Sequence, residues 1–540
     1  MQMKTYTLII LIIIASSLWG SWDWATSLGG SGMSRIWDIT SSTSSDILVC
    51  GDFTDSLRVH GSYLPGFGLA DSFLISYGAT GSLQWAKSWG SSDEDVALGV
   101  GVDASGASYV GGYFIGDLSF QGQSVSSNGM WDVYLMKLDT NGNLLWLRSF
   151  GGPMNDIGYG LVVNPNGQVF LTGWFADKIV FPGGDALASF GGSDVFCCSY
   201  SAAGEFLWAK NAGTAGVDYG YEIACDNDGN AYVTGVANIN AQFGNFSLPT
   251  PGMFVAKYNA QGVEQWLASS VNAAVINIAV QAQSGPSQFG MVAGRIAGMG
   301  QIGSFAFSTV EGGDDAYWAA FDANTGVWIN MQHYGGILAD KGKDADCEFT
   351  PAYIANYEGQ VSFGAIPFSS QGESDIILAY GPLDNLQFAT AGGENIEIST
   401  SVKVLPNGLV AVAGWHFGLS QFGNQWLDSG SVSDQNAFLA VFNPASGVQD
   451  EQISSPLSLQ LSPNPFADNL RIRQNKDGGT AALEVYNLKG QLVRSVSKPL
   501  SKGTESIYLW DGKDVQGRAV PAGVYLLKVG KHSAKAVKLP

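Results

Sequence analysis

The stretch DVYLMKLDTNGNLLWLRSFGGPMNDIGYGLVVNPNGQVFLTGWF (132–175) is a run of strands joined by tight turns. DVYLMKL opens on an acidic residue. Gly142 then closes a turn four residues before Trp146, the centre of a second strand. A third strand runs into the turn NPNG (164–167), and the phrase VFLTGWF (169–175) follows. Glycine supplies the positive φ that closes such turns. A fixed Gly-to-Trp interval therefore fixes the hairpin register, because a one-residue slip would send the tryptophan to the other face.

The same grammar repeats along the chain. The closing phrase recurs as ILVCGDF (47–53), SYVGGYF (108–114), VFLTGWF (169–175), AYVTGVA (231–237), GMVAGRI (290–296), QVSFGAI (360–366) and VAVAGWH (410–416), at starts about 60 residues apart. Gly81 and Trp85, Gly204 and Trp208, and Gly262 and Trp266 repeat the Gly142–Trp146 interval. A period of this length filled with strand-like sequence implies radial repetition of small sheets. The expected fold class is all-β, a seven-bladed β-propeller of four-stranded blades followed by a small immunoglobulin-like β-sandwich. The last repeat stops at NPASG (443–447) without its tryptophan strand, while SWDWATSLGG (21–30) is an orphan copy of that strand. Ser21 onward is thus expected to complete the seventh blade, which removes exposed sheet edges.

The expected organisation is a signal peptide over 1–20, a propeller over 21–448, a linker over 449–455 and a sandwich over 456–540. Residues 1–20 carry Lys4, an apolar stretch from Leu8 to Ala15 and then small residues, the parts of a secretory signal peptide and too short for a membrane span. Gly 71 and Trp 16, with 14% charged residues, suit turns and aromatic packing better than helices. Residues 456–540 hold 13 Lys+Arg against 6 Asp+Glu, which leaves 13 against 41, a net of −28, for 1–455. Such a ring is unsuited to nucleic acid or an anionic membrane. The five cysteines do not recur at one blade position. Cys197 or Cys198 could pair with Cys225, and buried free thiols are the alternative.

The tail carries LSPNPFADNLRIR (461–473), LEVYNLKGQLVRSV (483–496) and LWDGKDVQGRAVPAGVYLLKV (509–529). It resembles the C-terminal sorting domain of the bacterial type IX secretion system. The resemblance rests on Pro463, Asn464, Pro465, Gly490, Trp510, Gly512, Gly523 and Tyr525. It implies routing: passage across the inner membrane by the signal peptide, recognition by the secretion machinery as partner, and release or attachment at the cell surface. GVYLLKV (523–529) is expected as the last strand. The ring, for its part, resembles bacterial seven-bladed propeller repeats of surface and secreted proteins, most clearly in repeats two to four. That likeness implies a fold and leaves the ligand open.

Candidate site residues come from repetition. Asp95, Asp156, Asp218 and Glu397 each stand 11 residues before a turn glycine, and Asp340 holds a similar place. They imply either an acidic face able to hold Ca²⁺ or polar sugars, or caps on backbone amides; repetition favours caps. Trp174 and Trp415 beside the glycine phrase are candidates for stacking on sugars or a protein partner. His60 and His416 would be ring neighbours and are candidates for a shared site, exposed loop histidines being the alternative. No G-x-S-x-G, H-E-x-x-H or phosphate loop is found in the sequence. The expectation is an exported binding or adhesion scaffold without a cofactor, Ca²⁺ being the one ion considered. A polysaccharide hydrolase or lyase and a structural surface-layer component are the alternatives.

Overall fold

In the computed structural model the chain forms two compact units, Met1–Asp450 and Glu451–Pro540. The structure describes residues 20–280, 285, 288–309, 313–363, 366–446, 460–462, 470–475, 482–487, 491–496, 500–502, 505–521, 523–529 and 532–538. The expected signal peptide, apart from Gly20, and the expected linker lie outside them. The protein is all-β, a propeller followed by an immunoglobulin-like sandwich.

The stretch 132–175 behaves as its alternation dictates. Asp132–Leu138 and Leu144–Phe150 form the two outer strands of a four-stranded antiparallel sheet, behind Asp95–Val102 and Ser108–Phe114. Asp156–Val163 then opens the next sheet. Seven such units follow one another. Their innermost strands are Ser34–Ser41, Asp95–Val102, Asp156–Val163, Tyr219–Cys225, the second half of Glu264–Val280, Lys341–Asp346 and Glu397–Val404. Each packs against the next, and the last returns to the first. Glu264–Val280 is one continuous strand that closes the fourth unit and opens the fifth, which is where the repeat fades in sequence. In the seventh unit Ser21–Gly30 is the outermost strand, paired with Gln435–Asn443 from Ser21↔Asn443 to Leu28↔Ala437.

Two devices sew adjacent units together. The first joins tryptophan to turn glycine, with the partner in the neighbouring unit. Trp24, Trp85, Trp146 and Trp208 donate their indole N–H to the carbonyls of Ala79, Thr140, Ala202 and Ala260 at 3.0, 2.9, 3.2 and 3.0 Å. Each ring lies over the following unit's turn glycine, whose Cβ would stand 2.6–2.9 Å from the indole of the unit before. Gly81, at φ 83°, therefore meets Trp24 rather than its own Trp85.

The second device lies in the loop after each glycine phrase, which the sequence shows only as variable. It folds into a small hairpin or a strand extension that bonds the outermost strand of the preceding unit. Gly29 and Gly30 pair Arg58 and Leu57, Gly90 pairs Ser119, Gly151 pairs Val180, Gly213 pairs Gln242, and Gly392 and Gly393 pair Gln421 and Ser420. All five cysteines are free thiols, and Cys50, Cys197, Cys198 and Cys347 are buried.

The sandwich sets Gln460–Ser462, Leu470–Asn475, Glu505–Trp510 and Leu500–Lys502 in one sheet. The other holds Leu492–Val496, Leu483–Asn487, Gly523–Val529 and His532–Lys538. Gly523–Val529 is thus not the last strand, because His532–Lys538 pairs with it from Gly523↔Lys538 to Val529↔His532. The alternation of Leu470 and Ile472, Leu483 and Val485, and Tyr525, Leu527 and Val529 fills the core. Trp510 packs edge-on to Tyr525 at 5.1 Å, and Gly512 turns at φ 63°. Pro463, Asn464, Pro465 and Gly490 lie outside the described residues.

Candidate binding face at the channel mouth

The five recurring carboxylates are fully buried. Each accepts the backbone N–H four residues before it. Asp95 takes Ser91 at 2.5 Å, Asp156 takes Gly152 at 2.7 Å, Asp218 takes Thr214 at 2.7 Å, Asp340 takes Gly336 at 2.8 Å and Glu397 takes Gly393 at 3.0 Å. These bonds satisfy amides in the turn that enters each inner strand. The carboxylates form no exposed acidic face.

Each also meets a second acid, from the start of the third strand of the unit before. These partners are Asp71, Asp132, Asp194, Asp315 and Asp375, all buried. A Cβ on Gly90 would stand 2.0 Å from Asp71 Oδ1 and 3.1 Å from Asp95 Oδ2, so the two carboxyl groups share one small space. Burial, opposed by the amide bonds and reinforced by the neighbouring acid, raises Asp95 to about 7, Asp156 to about 8, Asp340 to about 7 and Glu397 to about 7. Two seams lack the pair on both sides. The fourth-to-fifth has Gly252 and Ala273, and the seventh-to-first has Asn436 and Ser34.

The channel mouth is built by a feature that sequence reading missed. Every inner strand carries a β-bulge at the same height: between Ile36 and Asp38, Ala97 and Gly99, Gly158 and Gly160, Gly220 and Glu222, Val275 and Asn277, Gly342 and Asp344, and Ser399 and Ser401. A bulge adds one residue and re-aims its side chain. The added residues are Trp37, Leu98, Tyr159, Tyr221, Ile276, Lys343 and Thr400, and none of the seven is buried. A bulge leaves no mark in a single repeat's composition; only the shared i and i+2 positions flanking the extra residue, aligned across units, would have disclosed it.

Aromatic residues dominate one arc of this ring. Trp37 meets Trp415 edge-on at 5.4 Å, Tyr159 meets Tyr221 at 6.1 Å, Trp174 meets Tyr219 at 5.5 Å and Tyr113 meets Trp131 at 5.3 Å. Trp174 and Trp415 are half-buried, so each keeps part of its ring open to solvent. Arg35 lies 5.1 Å over the Trp37 ring and is paired with Asp52 at 2.7 Å. Cations hold the other arc. Arg295 pairs with Asp314, while no carboxylate among the described residues reaches Lys341 or Lys343.

Deeper in the channel, a cavity of about 280 Å³ is lined by residues of all seven inner strands. There the residues after three of the bulges, Asp38, Asn277 and Asp344, satisfy the open edge of the next unit, Asn277 accepting Ala345 N–H at 3.4 Å. Asp38 accepts Val100 N–H at 2.9 Å, and Asp344 accepts Val402 N–H at 2.6 Å. Inner strands have no ladder partner toward the axis, so these side chains stand in for one. Burial raises Asp38 to about 6 and pushes Asp344 and Glu222 well above the ordinary carboxylate range.

His60 and His416 do not come together. His60 is exposed at a turn with φ 46°. His416 is buried between Ser27 Oγ at 2.9 Å and Ser420 Oγ at 3.1 Å, and Ser420 donates to Glu397 at 2.5 Å. Burial lowers His416 to about 4, which keeps it neutral.

Comparison with known proteins agrees with both folds. Residues 207–240 match the β-propeller repeat family, and residues 462–535 match the FlgD Ig-like domain. The chain is 35% identical over 114 residues to the regulatory protein FlaEY of Caulobacter vibrioides. It is 25% identical over 167 residues to the uncharacterized WD repeat-containing protein L264 of Acanthamoeba polyphaga mimivirus. These matches cover 19% and 27% of this chain and 12% of each relative, so the chain spans about an eighth of their length. Among solved structures, a quinohemoprotein alcohol dehydrogenase from Comamonas testosteroni aligns over 87% of this chain and 75% of its own, and a europium-containing methanol dehydrogenase over 78% and 92%. Both have a TM-score of 0.32 and 10% identity. One is a quinohemoprotein and the other a europium-containing enzyme, in contrast to the expected chain with no cofactor beyond Ca²⁺; a likeness at this level assigns neither group to this chain.

Proposed function

We propose that the chain is an exported binding scaffold that holds an extracellular glycan at the channel mouth of its propeller, and that its C-terminal sandwich routes it through the type IX secretion machinery to the cell surface or the medium. One observation carries the binding part: seven bulges at one height ring the axis with seven side chains that are not buried, three of them Trp or Tyr. A fold that only needed to close would bury or shorten these residues. Trp174 and Trp415 extend the platform, and partly exposed aromatic rings are the side chains on which sugar faces stack. The five buried carboxylates are left out of the binding surface. Support for routing is the ordered tail motif from Pro463 to Tyr525 and the signal-like residues 1–20.

The binding part is tested by glycan-array and affinity-electrophoresis measurements on the full chain and on Trp37→Ala/Trp415→Ala. Retention should fall at least tenfold in the variant at unchanged melting temperature. Unchanged retention would sink the mouth as the site. Routing is tested by ending the chain at Ser455: the propeller should fold and remain in the periplasm, and normal delivery to the surface would defeat the assignment.

A further inference from the structure

We infer that the glycan held at the mouth is an acidic polysaccharide, its carboxylate or sulfate groups taken by the arc Arg295, Lys341 and Lys343 and its rings by the neighbouring aromatic arc. This rests on the mouth being the binding face. Lys343 is the added residue of the sixth bulge, and Lys341 stands two residues before it on the same strand. Arg295 lies on the preceding unit's second strand, opposite Ala274, close enough for its charge to act on both Lys343 and Tyr221.

Three cations thus gather at one side of the mouth in a propeller whose sequence, over 1–455, holds only 13. Three of the other half-buried or buried lysines have partners: Lys137 has Asp103 at 3.1 Å, Lys403 has Glu348 at 2.7 Å and Lys257 has the Ala323 carbonyl at 3.0 Å. Lys343 is half-buried, and the charges acting on it are the positive Lys341 and Arg295. Burial first, and then those two, lower its ammonium to about 8. A fold that disfavours a charge and still presents it at a channel mouth gains from it only when an anion arrives.

The class of anion follows from the surroundings. The net of −28 over residues 1–455 repels a dense polyanion at long range, so binding must come from short-range contacts. A polysaccharide with one charge per sugar or fewer offers spaced anions together with ring faces for Tyr221, Tyr219 and Trp174. Nucleic acid offers a far denser charge. The carboxylate of a uronic acid and the sulfate of a sulfated sugar share the recognised chemistry.

The probes are polygalacturonate, κ-carrageenan, which carries one sulfate per two sugars, and neutral xylan, measured with the full chain and with Lys341→Gln/Lys343→Gln. Polygalacturonate or κ-carrageenan should be retained at least tenfold more tightly than xylan, and the variant should lose that margin while its retention of xylan changes less than twofold. Lys343→Arg should keep most of the binding. Which of the two polyanions binds tighter identifies the source of the anion. Equal retention of xylan and both polyanions, or a variant that binds polyanions as the parent does, overturns the anion assignment and leaves the binding face standing. Duplex DNA retained as tightly as polygalacturonate also overturns it. No retention of any polysaccharide overturns both. The melting temperature of the variant, expected to hold or rise because an unpaired ammonium is removed, separates lost binding from lost folding.

Discussion

The seam between the second and third units and the seam that closes the ring solve one packing problem with different chemistry. At the first, Asp132 and Asp156 meet in a space left open by Gly151, whose Cβ would stand 2.3 Å from Asp132 Cγ. At the closing seam the same places hold Asn436 and Ser34, and a Cβ on Gly29 would stand 2.2 Å from Asn436 Nδ2. Both seams bond the next unit's turn, but only the first buries a like-charged pair. Such a pair costs stability unless it holds a proton. The acids are therefore replaceable as packing, and where they occur they tie the fit between units to pH.

The largest expected effect comes from breaking the closing seam outright. Removing Ser21–Gly30 strips Trp22 and Leu28 from the core, Trp24 from its place over Gly81, and the ladder along Gln435–Asn443. A loss of about 5 kcal/mol or more is expected, beyond that of one large buried side chain, seen as a lower melting temperature and aggregation through the bared edge. Melting like the parent's would show that the strand is not what holds the ring shut.

Next in size is Gly151→Ala. The φ at Gly151 is not in the left-handed region, so its role is close approach to Asp132 and not a special turn. Overpacking there should cost about 1–3 kcal/mol. If the denaturation midpoint does not move, the seam has slack and the comparison between seams loses its steric half.

How much of this was legible in sequence divides along the same line. The repeat, the strand order, the closing strand and the capping role of the carboxylates could be read because they depend on residue type at fixed spacing, except in the sixth unit, where QVSFGAI falls on the hairpin of Gln360–Phe363 with Ile366–Ser369 and the second strand is Ala352–Tyr357. The Gly–Trp interval was visible too, but its partner across the seam was not, since sequence spacing describes a hairpin and not its neighbour. The bulge ring, the interblade hairpins and the pairing of Asp71 with Asp95 depend on geometry between units. Trp174 and Trp415 were singled out as candidates; Trp37, Tyr159, Tyr221 and Lys343 were not, because bulged residues have no fixed composition. His60 and His416 came out adjacent by repeat number, but one sits on an exposed turn and the other inside a blade.

The pH dependence has a definite sign. Asp95, Asp156, Asp340 and Glu397 have folded values of about 7 to 8, raised by burial above the 3.8 or 4.5 of the free acids. The folded state then holds protons that the unfolded chain has released. Stability from these groups is complete below about 4 and is lost as pH rises through 7 to 8. His416 works in the opposite direction: its folded value of about 4 lies under the ordinary 6.5, so its contribution is present above 6.5 and lost as pH falls toward 4. Four acids outweigh one histidine between pH 8 and 6. The melting temperature should therefore rise by several degrees on acidification over that range, and these groups keep it rising toward pH 5. A melting temperature that falls steadily from pH 8 to 6 would mean the buried pairs are ionised and otherwise compensated.

The smallest effect sharpens the comparison most. Asp156→Asn gives the second-to-third seam the neutral character of the closing one, since an amide oxygen can still accept Gly152 N–H, now at 2.7 Å from the carboxylate. The charge that Asp132 opposes is gone. At pH 6, where the parent already carries a proton on the pair, the substitution should change stability by less than about 1 kcal/mol. At pH 8 it should be neutral or stabilising by about 1 kcal/mol, because it removes the proton loss that a group titrating near 8 undergoes there. Asp156→Ala deletes the acceptor as well and should cost about 0.5–2 kcal/mol at both pH values. The two variants thus separate cap from charge. If Asp156→Asn destabilised the protein as much as Asp156→Ala at pH 8, the negative charge itself would be needed at the seam, and Asn436 and Ser34 would be a different solution and not the neutral version of the same one.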